Sequence, residues 1–198
     1  ELMAEVPESP APLFDEIPDY PKGYRIFANP LASSKRTALI LDQDPETPPF
    51  EMLKYWMNAT RDIKPIAPRM VDDAPVKENV LVGDQINLFK FPSPRWHEID
   101  SARYLGTADT VIMRAPDSDW VNLATYRVAV HDEKTLGLWI SPGKHGYLFL
   151  QKYHERGEAA PVAVSFGHDP LLFLCCATFF PYAKSEYEFA GHLRGKPI

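Results

Sequence analysis

The first half of the chain carries short, interrupted apolar patterns. Tyr24-Arg25-Ile26-Phe27-Ala28 predicts a short strand, Ala38-Leu39-Ile40-Leu41 extends a helix opened near Ser33-Ser34, and Phe50 to Met57 places apolar residues at helical spacing. Val80-Leu81-Val82 and Ile86-Asn87-Leu88-Phe89 then lead into Phe91-Pro92-Ser93-Pro94-Arg95-Trp96-His97, where two prolines stop any regular element. This half reads as mixed α and β, and the pattern places a domain boundary close to residue 98, separating 1–98 from 99–198.

Past that point the pattern changes to strands. Arg103 to Met113 predicts a strand, Ala115-Pro116-Asp117-Ser118-Asp119 is turn chemistry, and Trp120 to Val130 is a second strand rich in β-branched and aromatic residues. A turn at His131-Asp132-Glu133-Lys134 leads to Leu136-Gly137-Leu138-Trp139-Ile140, so an antiparallel meander of at least three strands, the core of a barrel or sandwich, is expected. Gly146 to Arg156 has helical periodicity with Gly157 as its stop, and Pro161 to Gly167 reads as a buried strand. Asp169-Pro170 supplies an N-cap and a first-turn proline for a helix over Leu171 to Cys176. Ser185-Glu186-Tyr187-Glu188 forms a capping box, Ser185 as N-cap and Glu188 three residues on, for a last helix closed by Gly191 or Gly195.

Composition narrows the classes. The 198 residues are 45% apolar with a net charge of −6 and no Lys/Arg run that would track a phosphate backbone, which disfavours nucleic-acid binding. No stretch approaches the length of a membrane span, and Glu1-Leu2-Met3-Ala4-Glu5 lacks the layout of a secretion signal, so no membrane association and no export are expected. The two cysteines are adjacent, Cys175-Cys176, too close for an ordinary bridge, which suits a reducing, cytoplasmic setting. There are 20 prolines against 10 glycines, many of them before residue 100, which predicts short elements tied by stiff connectors.

The polar residues hardest to explain structurally are Asn122, Arg127 and His145. Asn122 interrupts an apolar strand and marks either a bulge or a ligand contact; Arg127 sits mid-strand and either reaches a solvent edge or meets an anion. An odd spacing sends 122 and 127 to opposite faces of a regular strand, so one ligand meeting both requires a bulge between them. His145 follows Ser141-Pro142-Gly143-Lys144 at a strand exit, where a surface-loop role or an anion contact fits, and His97, His131, His154, His168 and His192 show no metal-ligand spacing. Glu186 is explained by its place at a helix N-terminus alone.

The order of motifs adds to this. Arg103-Tyr104-Leu105-Gly106-Thr107-Ala108-Asp109-Thr110-Val111-Ile112, Trp120-Val121-Asn122-Leu123-Ala124-Thr125-Tyr126-Arg127-Val128, Thr135 to His145, Pro161-Val162-Ala163-Val164 and Ser185-Glu186-Tyr187-Glu188-Phe189-Ala190-Gly191 together resemble the UbiD family of prenylated-flavin-dependent decarboxylases. Pro75-Val76-Lys77-Glu78-Asn79-Val80 and Phe91 to Glu98 are similar to that family too, so the likeness runs from about Leu13-Phe14 to Pro197.

The resemblance implies an α+β chain: a mixed α/β N-terminal region, 1–98, then a split β-barrel, flavin-reductase-like cofactor-binding domain, 99–198. It implies prenylated FMN held through Mn²⁺ or Mg²⁺ on Asn122, His145 and Glu186, with K⁺ near the same phosphate. Amide oxygen, imidazole and carboxylate with phosphate oxygens form a mostly hard donor set suited to those ions. Arg127 matches the arginine that meets cofactor and substrate carboxylate, Thr107, Leu123, Ala124, Thr125 and Lys144 match cofactor-binding positions, and Cys175 to Phe179 matches a flavin-lining segment with different residues. The implied reaction is reversible non-oxidative decarboxylation of an aromatic, heteroaromatic or α,β-unsaturated acid to release CO₂, in a homo-oligomer. The family's acid/base glutamates and C-terminal oligomerisation domain have no match here, which leaves three expectations: a fragment or one chain of a split enzyme, a shortened decarboxylase, or a module that binds the cofactor without turnover.

Overall fold

The structure, a computed structural model, describes residues 10–198; the Glu1 to Glu5 stretch lies outside them. Contacts divide the chain into two compact units. The first comprises the chain up to Pro68, with Asp169–Cys175 and Tyr187–Ile198; the second comprises Arg69–His168 and Cys176–Glu186.

In the first unit a two-residue strand pair, β1 (Leu13–Phe14) and β2 (Ile26–Phe27), accompanies helices α1 (Ser34–Ile40) and α2 (Pro49–Arg61). Pro49 opens α2 where its missing N–H costs nothing. Helix α4 (Pro170–Ala177) starts as the sequence predicts, the Asp169 carboxylate accepting the Leu171 N–H at 2.7 Å. From the last helix, α5 (Glu186–Arg194), Phe189 is fully buried and meets the Trp56 ring edge-on at 5.7 Å, while Arg194 donates to the Ile40 carbonyl and pairs with Asp42 at 2.7 Å. The helix ends at Gly195, whose φ of +65° is the left-handed turn a glycine supplies.

The second unit is built on a four-stranded antiparallel sheet ordered β5-β4-β3-β6, from β3 (Arg103–Arg114), β4 (Val121–Val130), β5 (Leu136–Leu138) and β6 (Val162–Ser165). The predicted hairpin and meander are these strands; the sheet is curled and open. Helix α3 (His145–Glu155) lies against one face, where Val111, Met113, Val128 and Phe149 make a dry core, each large side chain contributing ~1.5–3 kcal/mol. The strand over Pro161 to Gly167, expected to be buried, is instead the sheet edge: among the described residues β6 pairs only with β3, and Val162 and Ala163 are exposed.

The boundary expected near residue 98 falls inside the second unit. Residues 69–98 form three single 3₁₀ turns and lean on the sheet's own loops: Leu88 N–H donates to the Glu133 carbonyl, Lys134 pairs with Asp84, and Phe91 meets Phe166 edge-on at 5.0 Å. No helix among the described residues is long and apolar enough to cross a membrane. Both cysteines are buried and free of disulfides.

Candidate cofactor and metal site

Strand β4 runs past β5, which pairs only with Val128 to Val130, so the edge of β4 from Val121 to Tyr126 is left with outward backbone groups. Glu186 satisfies that edge. Its carboxylate accepts the Leu123 N–H at 2.7 Å and the Asn122 side-chain amide at 2.9 Å, and the residue is 2% exposed. Burial pushes the Glu186 acid up to about 7, with the Leu123 N–H, its own backbone and the Asn122 amide holding it down from a higher value.

This corrects two expectations. Glu186 is not explained by its place at a helix N-terminus alone, since its carboxylate also serves a strand. The Ser185 hydroxyl, expected to cap α5, is buried without a partner, so the capping box is not formed through that side chain.

Asn122, 4% exposed, lies on the same strand face as Trp120, and the Trp120 ring packs edge-on against His145 at 4.9 Å and Tyr182 at 4.7 Å. Trp120 is pinned by its indole N–H donating to the Lys184 carbonyl at 2.8 Å. The sheet, the start of α3 and the segment before α5 thus meet around this indole. Burial and the neighbouring Lys144 lower the His145 pKa, favouring the neutral imidazole that can act as a ligand. Gly146 beside it is tightly placed, since a Cβ there would reach Met113 Sδ at 3.3 Å and the Tyr126 hydroxyl at 3.5 Å.

At the other end of the hairpin, β3 carries extra residues. From Tyr104 to Asp109 it advances five positions while β4 advances three, from Ala129 to Tyr126, and Thr107 and Ala108 stand across from Arg127. Thr107 and Arg127 are both exposed there. The irregularity sits on β3, so β4 keeps its alternation, and Asn122 and Arg127 leave it by opposite faces. Leu123 is fully buried and Ala124 and Thr125 are half-buried, while Lys144 is exposed. In the segment matched to a flavin lining, Cys175 and Cys176 are buried and Phe179 is 90% exposed. His168 and His192 are engaged structurally, His168 with the Thr110 hydroxyl at 2.9 Å and His192 with the Ala59 carbonyl at 3.2 Å.

Sequence reasoning missed Trp120 and Tyr182 as the rings around His145, and Asp109, a buried acid in β3. Asp109 had a visible signal, a carboxylate inside the run Ala108-Asp109-Thr110-Val111. Among the described residues no three His, Cys, Asp or Glu side chains converge. A cation at Glu186 would therefore have to draw on the Asn122 amide and on ligand or water oxygens as well as carboxylate and imidazole, a donor set whose chemistry fits Mn²⁺ or Mg²⁺ rather than zinc.

The family profile "UbiD: 3-octaprenyl-4-hydroxybenzoate carboxy-lyase Rift-related domain" matches residues 69–198. The pyrrole-2-carboxylic acid decarboxylase of Pseudomonas aeruginosa is 30% identical over 197 residues, covering 96% of this chain and 40% of that protein. The structure of Sedimentibacter hydroxybenzoicus vanillic acid decarboxylase in closed form superposes with a TM-score of 0.90 at 30% identity, over 100% of this chain and 42% of that one. An evolved dimeric form of the UbiD-class enzyme HmfF from Pelotomaculum thermopropionicum, solved in complex with prFMN, superposes with a TM-score of 0.84 at 26% identity, over 100% and 44%. The chain thus spans about two fifths of the length of these relatives. With the profile covering most of its length, the chain belongs to the UbiD family.

Proposed function

We propose that this chain carries the cofactor-anchoring part of a prenylated-FMN-dependent decarboxylase acting reversibly and without oxidation on an aromatic, heteroaromatic or α,β-unsaturated acid. The observation that carries this is the buried Glu186 carboxylate, drawn to Asn122 and the Leu123 N–H at the edge of the sheet. In this reading the sheet belongs to a flavin-reductase-like split barrel in a cytoplasmic enzyme.

Asn122, His145 and Glu186 would hold Mn²⁺ or Mg²⁺ against the cofactor phosphate, with K⁺ beside it, and Lys144 and the first turn of α3 would face that phosphate. When bound, the prenylated flavin supplies an electron sink for the electrons left as CO₂ departs. Arg127 presents a planar guanidinium that can pair in two-point fashion with the leaving carboxylate, and Thr107 stands across from it. A proton must replace the carboxylate on carbon, and no acid of this chain matches the family's donor. That the chain spans about two fifths of its relatives supports a second reading, in which it binds the cofactor and turnover needs a further segment or partner chain.

Reconstitution with prenylated FMN and Mn²⁺ tests both. Glu186→Gln and His145→Ala should each weaken cofactor retention by roughly tenfold or more, read by absorbance after gel filtration, and unchanged retention in both removes the metal assignment. Arg127→Ala should abolish CO₂ release while the cofactor stays bound.

A further inference from the structure

Asp109 lies on the core face of β3, with Val111 two residues on and Tyr126 directly across on β4. It is 6% exposed, its Oδ2 has no hydrogen-bond partner, and neither has the Tyr126 hydroxyl. The carboxyl folds back over Gly106, where any Cβ would overlap it. A side chain turned back onto its own strand three residues earlier is possible only because Gly106 is bare and because β3 loops out between them.

We propose that Asp109, as a neutral carboxylic acid, is the positioning residue of this bulge: it fills the space over Gly106, keeps the extra residues of β3 looped out, and so sets Thr107 against Arg127. The physical reason is that no hydrogen bond reaches the buried Asp109 Oδ2 to favour a charge there. Burial alone pushes the Asp109 acid up to about 7. From β4 it faces the Tyr126 phenol, itself pushed up to about 12, while Arg127 leaves by the opposite face. On β3 its polar neighbours are Arg103, Tyr104, Thr107 and Thr110, and β5 and β6 carry no titratable side chain. On α3, which packs on this sheet face through Phe149, Lys152 is paired with Asp117, His154 lines a cleft with Tyr147 and Trp139, and His145 packs on Trp120. Ionised, the carboxylate has to leave for water, and the contact that holds the bulge leaves with it.

The inference deepens the assignment of Arg127 as the carboxylate-pairing residue and rests on it only for what the bulge serves. Its test reads the bulge directly, in the full 198-residue chain without cofactor. In an NMR titration from pH 5 to pH 9, the Asp109 carboxyl carbon and the amides of Thr107, Ala108 and Arg127 should shift together with one midpoint. In Asp109→Asn the three amides should stay at their low-pH positions throughout. Amides that hold still while the Asp109 carboxyl titrates would overturn the proposal, as would amides that still titrate in Asp109→Asn. Loss of decarboxylase activity or of metal binding changes neither outcome.

Discussion

Glu186 and Asp109 serve two places on the β3–β4 hairpin, Glu186 the β4 edge at Leu123 near the turn and Asp109 the middle of the pair opposite Tyr126, both buried and both pushed up to about 7, yet they arrive there differently. Glu186 comes from another element and meets two donors, the Leu123 N–H and the Asn122 amide; Asp109 comes from the hairpin itself and has an oxygen with no donor at all. Burial dominates both, but only at Glu186 do hydrogen bonds already favour the charged form. Glu186 already has partners that would favour its charge, and Asp109 is stable only while neutral.

The largest effect that separates the two acids is pH. Each acid holds its proton more tightly folded than unfolded, so the folded chain binds the extra protons between about pH 4 and about pH 7. Stability is therefore full below that window, falls as pH rises through it, and levels above it, by on the order of 3 kcal/mol per acid. Urea denaturation across that range should show the fall, and Asp109→Asn and Glu186→Gln should each remove a share. Mn²⁺ with prenylated FMN should flatten the Glu186 share and leave the Asp109 share; flattening of both would erase the contrast.

Next in size is Glu186→Ala at pH 5, which leaves a buried N–H and a buried amide unpaired and should destabilise by about 2–3 kcal/mol in the same measurement. Gly106→Ala should cost about 2 kcal/mol by driving a Cβ into the Asp109 carboxyl, and the double variant with Asp109→Ala should recover most of it. The smallest effect tests the turn before α5. Ser185→Ala removes a hydroxyl that caps nothing and should change stability by less than about 0.5 kcal/mol, whereas a working N-cap would cost about 1 kcal/mol.

What could be read from the sequence was local. The β3–β4 hairpin declared itself through β-branched runs around Pro116-Asp117-Ser118, and α4 through Asp169-Pro170, because propensity and capping act over a few residues. The two-unit division could not be read, because 169–175 and 187–198 join the first unit through contacts such as Arg194 with Asp42, 152 residues away along the chain. Asn122 and Glu186 were found as a pair only through the order of motifs, since 64 residues separate them and capping explained Glu186 well enough alone. The bulge left no pattern: Gly106 reads as an ordinary strand glycine until the Asp109 carboxyl is seen lying over it.

The paired thiols of α4 have a practical consequence. Burial lifts Cys176 to about 12, the Thr110 hydroxyl opposing the rise and the Glu186 charge adding to it, and Cys175 is wholly enclosed. Alkylating reagents at neutral pH find little thiolate at Cys176 and no exposed surface at Cys175, so one cysteine introduced on an exposed loop becomes the preferred attachment point for a fluorophore or spin label.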